Sequence, residues 1–559
     1  MDIRYQENTL MTHLSTSAFA AEGPTTWSRV AASLSRQGNA PRSQTARALL
    51  AAPSEAKAQA PRRTKRTFLP RVSGLLALLL VLAGCAVGPE YQRPDVTTPT
   101  AYKEASAQQP LPAHEAGTWQ AAQPAEQTLR GEWWKLFGDD TLNTLEQEAQ
   151  ASNQNLQAAA ARLKQARALL GDARSELFPR VDAGFGPTRQ RPSPASQGLS
   201  DSASSDASTL WRAEATVAYE ADLFGRVAST VDAATADAQQ SEALYRSVLL
   251  ALQADVAEAY FQVRELDAGL RLYRQTVTLR EETLQLIQRR YDAGDISELD
   301  LARARSELES ARAETLGFER RRTTAEHALA VLLGKAPSEF SLPEQPLTRI
   351  AVTIPAGLPS TLLERRPDIA AAERAMAAAN ARIGAAQAAF FPRLNITGGA
   401  GFESAELGNL FEWSTRTFLL GPLVGAALSL PIFDGGRRQA GLDRARAVYE
   451  EDVANYRQTV LTAFREVEDN LANLRIMSGQ ISAQDAALQA SQRAARISHT
   501  QYNEGSISYL DVIEADRTVL AQQRVSVQLD GERARSAVNL VRALGGGWDT
   551  PLPPELAAR

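Results

Sequence analysis

An internal duplication limits what this chain can fold into more than any other feature. Phe178-Pro179-Arg180 recurs as Phe391-Pro392-Arg393, an offset of 213 residues. Tyr291, Gly294, Ser297, Leu299 and Asp300 recur as Tyr502, Gly505, Ser508, Leu510 and Asp511, an offset of 211. Leu223-Phe224-Gly225-Arg226 has a looser counterpart in Ile432-Phe433-Asp434-Gly435-Gly436-Arg437. Solenoid repeats run to about 20–50 residues, so this spacing signals the doubling of a whole half-protein. The halves fall at 129–345 and 346–548. A tether (85–128), an N-terminal extension with a signal segment (1–84) and a short tail (549–559) flank them.

Each half reads as helix, strand pair, then long helices. Residues 139–177 and 361–390 are alanine-rich with few breakers, hence helical, and each stops near a Phe-Pro pair. The period then switches to two. Trp211, Ala213, Ala215, Val217, Tyr219, Ala221 and Leu223 alternate with Arg212, Glu214, Thr216, Ala218, Glu220 and Asp222, a strand with one apolar and one polar face. Val181, Ala183 and Phe185 alternate with Arg180 and Asp182; Leu394, Ile396, Ala400 and Phe402 mark a third strand, and the apolar run 418–433 a fourth. Strands of about ten residues with polar loops such as 192–208 suit an outer-membrane barrel, although a soluble two-sided sheet alternates in the same way. Four strands cannot close a barrel, and a bilayer tolerates no open edge. A membrane sheet would therefore have to be shared between chains.

The long helices carry two apolar seams. Leu270, Val277, Leu284 and Tyr291 are seven apart, as are Leu272, Leu279 and Leu286. Positions two residues apart lie about 200° around a helix, so the seams are on nearly opposite sides. The second half keeps both, in Ile481, Leu488, Ala495 and Tyr502, and in Ala483, Ala490 and Ile497. A bundle helix carries one broad stripe. Two opposed narrow seams fit a helix with a neighbour on each side, as in a tube.

At the N-terminus, Arg62, Arg63, Lys65, Arg66 and Arg71 precede an apolar run over 74–83, followed by Gly84 and Cys85. This order reads as a secretory signal; a spanning helix needs about 20 apolar residues. Residues 1–61 are Ser-, Ala- and Arg-rich and acid-poor, superficially like an organellar transit peptide. The competing reading is that translation begins nearer Arg62, and 1–84 is set outside the fold. Residues 95–128 are rich in Pro, Ala, Gln and Thr, the composition of an extended tether.

Charge and motif content narrow the function classes. Residues 1–71 hold 11 Lys/Arg and 4 Asp/Glu, leaving 49 basic and 61 acidic residues in the rest of the chain. A body that acidic lacks the footprint of a nucleic-acid binder. One cysteine and four scattered histidines provide neither a disulfide nor a metal cluster. No Walker loop, dinucleotide-binding glycine pattern, nucleophile elbow or zincin motif is present. Catalysis is not expected, nor is any cofactor.

The residues that remain resemble the outer-membrane efflux channel family, in particular the lipidated outer-membrane factors of resistance-nodulation-division pumps. The markers are Cys85-Ala-Val-Gly-Pro-Glu-Tyr-Gln-Arg-Pro94, Trp133-Trp134-Lys-Leu-Phe137, Leu362-Leu-Glu-Arg-Arg-Pro367-Asp368 and the two glycine turns at Gly294 and Gly505. The resemblance implies a homotrimer in the cell outer membrane: a twelve-stranded barrel continuing into a twelve-helix periplasmic tunnel. It implies an exit duct of a tripartite, often multidrug, efflux pump, working with a periplasmic adaptor and an inner-membrane pump. Leu82-Ala83-Gly84-Cys85 resembles a lipobox, which implies acylation (diacylglycerol and palmitate) of Cys85 and a lipid-anchored chain. Tyr291, Gly294, Tyr502 and Gly505 would lie at the periplasmic tips. Asp511 and Glu514 would constrict the pore as carboxylate rings, although an ordinary solvated helix face has the same spacing. Some relatives carry an arginine where this chain has Ile507. The alternative reading is a periplasmic coiled-coil scaffold or adaptor lipoprotein without a pore.

Overall fold

The computed structural model describes residues 87–106, 131–198, 200, 206–347, 354, 362–420 and 426–546. Cys85 lies outside them. The fold is mainly helical, and the duplication is visible in its dimensions. In the first half α2 (Asp140–Ser152) and α3 (Gln154–Ser175) lead to β1 (Arg180–Gln190) and β2 (Ser208–Ala221), then α4 (Arg226–Asp292) and α5 (Glu298–Leu332). In the second half α6 (Leu362–Arg365) and α7 (Pro367–Ala388) lead to β3 (Arg393–Ser404), β4 (Arg416–Leu420) and β5 (Ala426–Ser429), then α8 (Arg437–Asn503) and α9 (Tyr509–Ala543). Both α4 and α8 have 67 residues, and both α5 and α9 have 35. At 1.5 Å per residue the longer helices reach about 100 Å.

The helix starts follow from local chemistry. Asp139 accepts the amides of Thr141 and Leu142 at 2.9 and 3.1 Å and starts α2. Asn153 accepts that of Leu156 and turns the chain into α3. Pro367 occupies the first position of α7, where its missing N–H costs nothing.

The strands form one antiparallel sheet in the order β1-β2-β3-β4, with β5 also on β3. β4 pairs with 398–402 and β5 with 393–396, so they are two pieces of a single fourth strand. The apolar stretch 418–433 is thus not strand throughout; Ile432 and Phe433 follow β5 and are 92% and 90% exposed. Directly paired residues share a face. One face carries Val181, Phe185, Val217, Ile396, Phe418 and Leu428, all exposed in the single chain. The other carries Asp182, Thr216, Glu214 and an Arg212–Glu403 ion pair of 2.8 Å across β2 and β3. The outer edges of β1 and of β4/β5 pair with no other described strand.

The core lies where α2, α3, α4, α7, α8 and α9 meet. Trp133 is fully buried and donates from Nε1 to Gln253 at 3.1 Å; Trp134, Tyr260, Phe261 and Tyr456 belong to the same buried cluster. The two seams separate as their spacing implies. Leu270, Ile481 and Ala495 are buried inside the chain, whereas Leu279, Leu286 and Ile497 are 55%, 44% and 49% exposed. The helices α4 and α8 therefore each keep an exposed apolar seam beside a buried one.

Residues 87–106 are fastened along α7 and α8. Asn380 donates to the Pro89 carbonyl, Tyr91 to Glu373 at 2.6 Å, and Arg93 to Tyr456 at 3.1 Å. A Cβ on Gly88 would stand 2.8 Å from the Gly384 Cα, so only glycine permits this approach. Farther on, Glu468 accepts the amides of Lys103 and Glu104, capping the short α1 (Lys103–Ser106).

One core residue opposes stability. Glu146 is completely buried, and neither carboxylate oxygen has a partner among the described residues. Burial raises its pKa well above the usual 4.5. From pH 4.5 upward the unfolded chain releases this proton while the folded chain keeps it, so folding loses stability as pH rises across that window. Glu146→Met, which matches its length without polar atoms, is expected to raise stability at pH 8 by about 1–3 kcal/mol. Denaturation in detergent should show that gain shrinking toward pH 4.5; a gain independent of pH would contradict the buried protonated carboxyl.

Candidate functional site

The two helical hairpins end in matching turns. In the first, the amide of Gly294 donates to the Tyr291 carbonyl at 2.9 Å and that of Asp295 to Arg290 at 2.9 Å. In the second, Gly505 donates to Tyr502 at 3.0 Å and Ser506 to Gln501 at 2.8 Å. Gly294 and Gly505 have φ of 80° and 75°, a left-handed conformation that explains glycine at both. The returning helices are capped alike. Ser297 Oγ donates to Asp300 at 2.9 Å, and Ser508 Oγ donates to Asp511 at 2.7 Å.

Asp511 completes a capping box: its Oδ2 also accepts the Ser508 amide at 3.0 Å. The hydroxyl and amide of Ser508 hold its carboxyl below the usual range. That contribution is present above the unfolded pKa and is lost as pH falls through the depressed folded value. One carboxylate oxygen is thus committed to the cap, which the sequence spacing did not show. Glu514 is exposed and pairs with Arg517 at 3.0 Å on the same helix.

The tips are tied to each other by contacts between sequence-distant residues. Ile287, Leu301 and Ala304 of the first hairpin form a buried cluster with Tyr509, Val512 and Ile513 of the second. Ile507, Tyr502, Leu284 and Ile296 pack around it. Arg290 lies 5.2 Å from the centroid of the Tyr502 ring, and Tyr502 stacks obliquely on Tyr509 at 5.6 Å; burial pushes the Tyr509 hydroxyl up to about 12. Tyr291, at the equivalent place in the first half, is exposed.

Above the cluster runs an ionic chain. Arg280 of α4 pairs with Glu307 of α5 at 2.8 Å, and Arg517 of α9 reaches the same carboxylate with Nε at 2.9 Å. Higher up, α9 is joined to α4 through Arg535 to Glu265 and Arg542 to Asp255. Glu307 and Arg517 are 210 residues apart. No local pattern in the sequence points from Arg517 to the other hairpin. At the far end of the helices Arg366 binds Asp368 bidentately, Glu466 at 2.6 Å and the Ala543 carbonyl at 3.1 Å, clamping α7, α8 and α9 together. Among the described residues no group of three or more metal-ligating side chains occurs, and no helix is long and apolar enough to cross a membrane.

The sheet leaves an apolar face exposed in the single chain, and its outer edges pair with no other described strand. Comparison with known proteins gives the class. The outer membrane efflux protein family model matches residues 145–335 and 358–546, once in each half. The outer membrane protein OprJ of Pseudomonas aeruginosa is 37% identical over 481 residues, 86% of this chain and 96% of that protein. The toluene efflux pump outer membrane protein TtgF of Pseudomonas putida is 36% identical over 488 residues, 87% of this chain and 98% of that protein. The solved outer-membrane channel OprN superposes with a TM-score of 0.74 at 30% identity, covering 83% of this chain and all of that one. The chain belongs to the outer membrane efflux protein family: it is a channel component of an efflux system in the outer membrane, and not an enzyme.

Proposed function

We propose that three copies of this chain form the exit duct of a tripartite efflux pump, conducting small molecules passively from the periplasm to the exterior. The observation that carries this reading is the four-stranded sheet, apolar on one exposed face and polar on the other, with outer edges that pair with no other described strand. A membrane forbids such edges, and three such sheets supply the twelve strands of a barrel that turns its apolar face to lipid. Three sets of helices, each with its second seam exposed at Leu279, Leu286 and Ile497, would complete the periplasmic tunnel. A pore-free scaffold would give the apolar sheet face no role.

In this reading the gate is at the second hairpin. Threefold symmetry turns Asp511 and Glu514 into rings of carboxylates that favour cations and repel one another. The contacts of Arg517 with Glu307 and of Tyr502 with Arg290 hold the second hairpin against the first. Opening releases these lower contacts, while Arg535, Arg542 and the Arg366 clamp keep the upper ends of the helices in place. A periplasmic adaptor docking at the tips would supply the trigger, and an inner-membrane pump the energy. Fastening of Val87 and Pro89 beside Phe224 and Asn380, close to the strand ends, suits a diacylated Cys85 anchored in the adjoining leaflet.

Native mass spectrometry and planar-bilayer recording on one purified sample test the assembly. The expected result is a mass of three chains, each with an acylated Cys85, and a small, persistent conductance. A single-chain mass, an unmodified cysteine or a silent membrane would overturn the corresponding part.

A further inference from the structure

A cavity of about 700 Å³ lies at the foot of the sheet, between the end of α7, the start of α8 and the adjoining ends of β3 and β5. Five arginines line it, Arg382, Arg393, Arg437, Arg438 and Arg444, against one carboxylate, Asp434. Two of the five are already satisfied: Arg438 by Asp434 at 2.7 Å and Arg382 by Asp237. Among the described residues no carboxylate pairs with Arg393, Arg437 or Arg444. Asp434 also accepts the amides of Gly436 and Arg438 at 3.1 Å each. The N-terminus of α8 is therefore capped from within, and the cationic character of the cavity comes from guanidinium groups.

The floor of the cavity is apolar, made by Ala379, Ala386, Ala445 and Val448. Its side of the sheet is also defined. Arg393 pairs directly with Ser429 and Asn395 with Ala427, so Arg393 and Ser429 share the polar face, opposite Leu394, Ile396 and Leu428. A lipid headgroup would approach the other face.

We propose that this cavity binds amphiphilic organic anions in transit. Arg393, Arg437 and Arg444 take the carboxylate or sulfonate head, and the alanine floor takes the apolar body. Guanidinium groups match such anionic heads by placing two donors against two of their oxygens. That the site faces the lumen rests on the duct reading; its chemistry does not. Repeated by threefold symmetry, it forms a cationic collar between barrel and tunnel, of opposite sign to the carboxylates at the tips. The duct then has an entrance that favours cations and an upper collar that retains anions.

Equilibrium dialysis of tritiated 2-naphthalenesulfonate against the detergent-solubilised full chain at low salt, with empty micelles as blank, tests this directly. Saturable binding is expected, weakened at least tenfold in Arg437→Gln/Arg444→Gln and recovered only in part by lysine at both positions. Both side chains are exposed on a long helix, and Arg393→Gln, on a different element, should weaken binding independently. Absence of binding to the wild type, equal binding to the glutamine variants, equal binding of 2-naphthylmethylammonium, or displacement of the probe by phosphatidylglycerol would each overturn the proposal. Conductance of the same preparation separates the two readings. A conducting channel that binds no probe refutes the site alone, and a silent membrane with intact binding refutes the duct.

Discussion

Arg366→Ala is expected to lower the unfolding free energy of the purified channel by about 3 kcal/mol, the lower end of what breaking a buried ion pair costs. The Arg366 side chain is 9% exposed and joins three helices through Asp368, Glu466 and the Ala543 carbonyl. Its carboxylate partners are 35% and 39% exposed and can be rehydrated when it is removed, which keeps the loss from being larger. The carbonyl at the end of α9 loses its side-chain donor as well. Lysine should recover less than half, because an ammonium cannot hold Asp368 bidentately while reaching Glu466. Urea denaturation in detergent, followed by tryptophan fluorescence, checks this; an alanine variant as stable as the wild type would mean that the clamp is replaced by other contacts.

The largest functional effect is expected at the tips. Arg517→Ala removes the ionic contact between the hairpins nearest the tips while leaving Glu307 paired with Arg280, and should raise single-channel conductance several-fold with little change in stability. Glu307→Ala should behave differently. It frees the second hairpin too, but it strands Arg280, only 15% exposed, and so destabilises the fold. Because Arg517 is 52% exposed, salt screens its contact, and wild-type conductance should rise faster than bulk conductivity as salt increases. Asp511→Asn/Glu514→Gln separates the charge of the proposed rings from the capping role of Asp511, since asparagine at 511 still accepts the Ser508 amide. Its expected signature is loss of cation preference rather than loss of the helix.

Features set by local chemistry were legible in the sequence. The alternation in β1, β2 and β3, the glycine turns at Gly294 and Gly505 and the separation of the two seams each depend on residues within a few turns or a few strand positions. The duplication made each element readable twice. What escaped depends on which distant residues meet. Arg517 and Glu307, or Arg366 and Glu466, are ordinary charges until the fold joins them. Asp511 was legible as an acidic residue after a turn, but its commitment to a capping box required the Ser508 geometry. The fourth strand was misjudged in extent because apolar residues after β5, Ile432 and Phe433, continue its composition without its pairing. The arginine cavity was invisible because its members come from three separate elements and converge only through the register of β3 with β5.

Closure of a pore by the second hairpin is tested most directly by planar-bilayer recording of the purified wild-type channel beside Arg517→Ala. The prediction is a small wild-type conductance with cation preference and a several-fold larger one in the variant. Equal conductances in the two would place the closure elsewhere in the duct. If both proteins insert and neither conducts, the pore itself is contradicted and the scaffold reading takes its place.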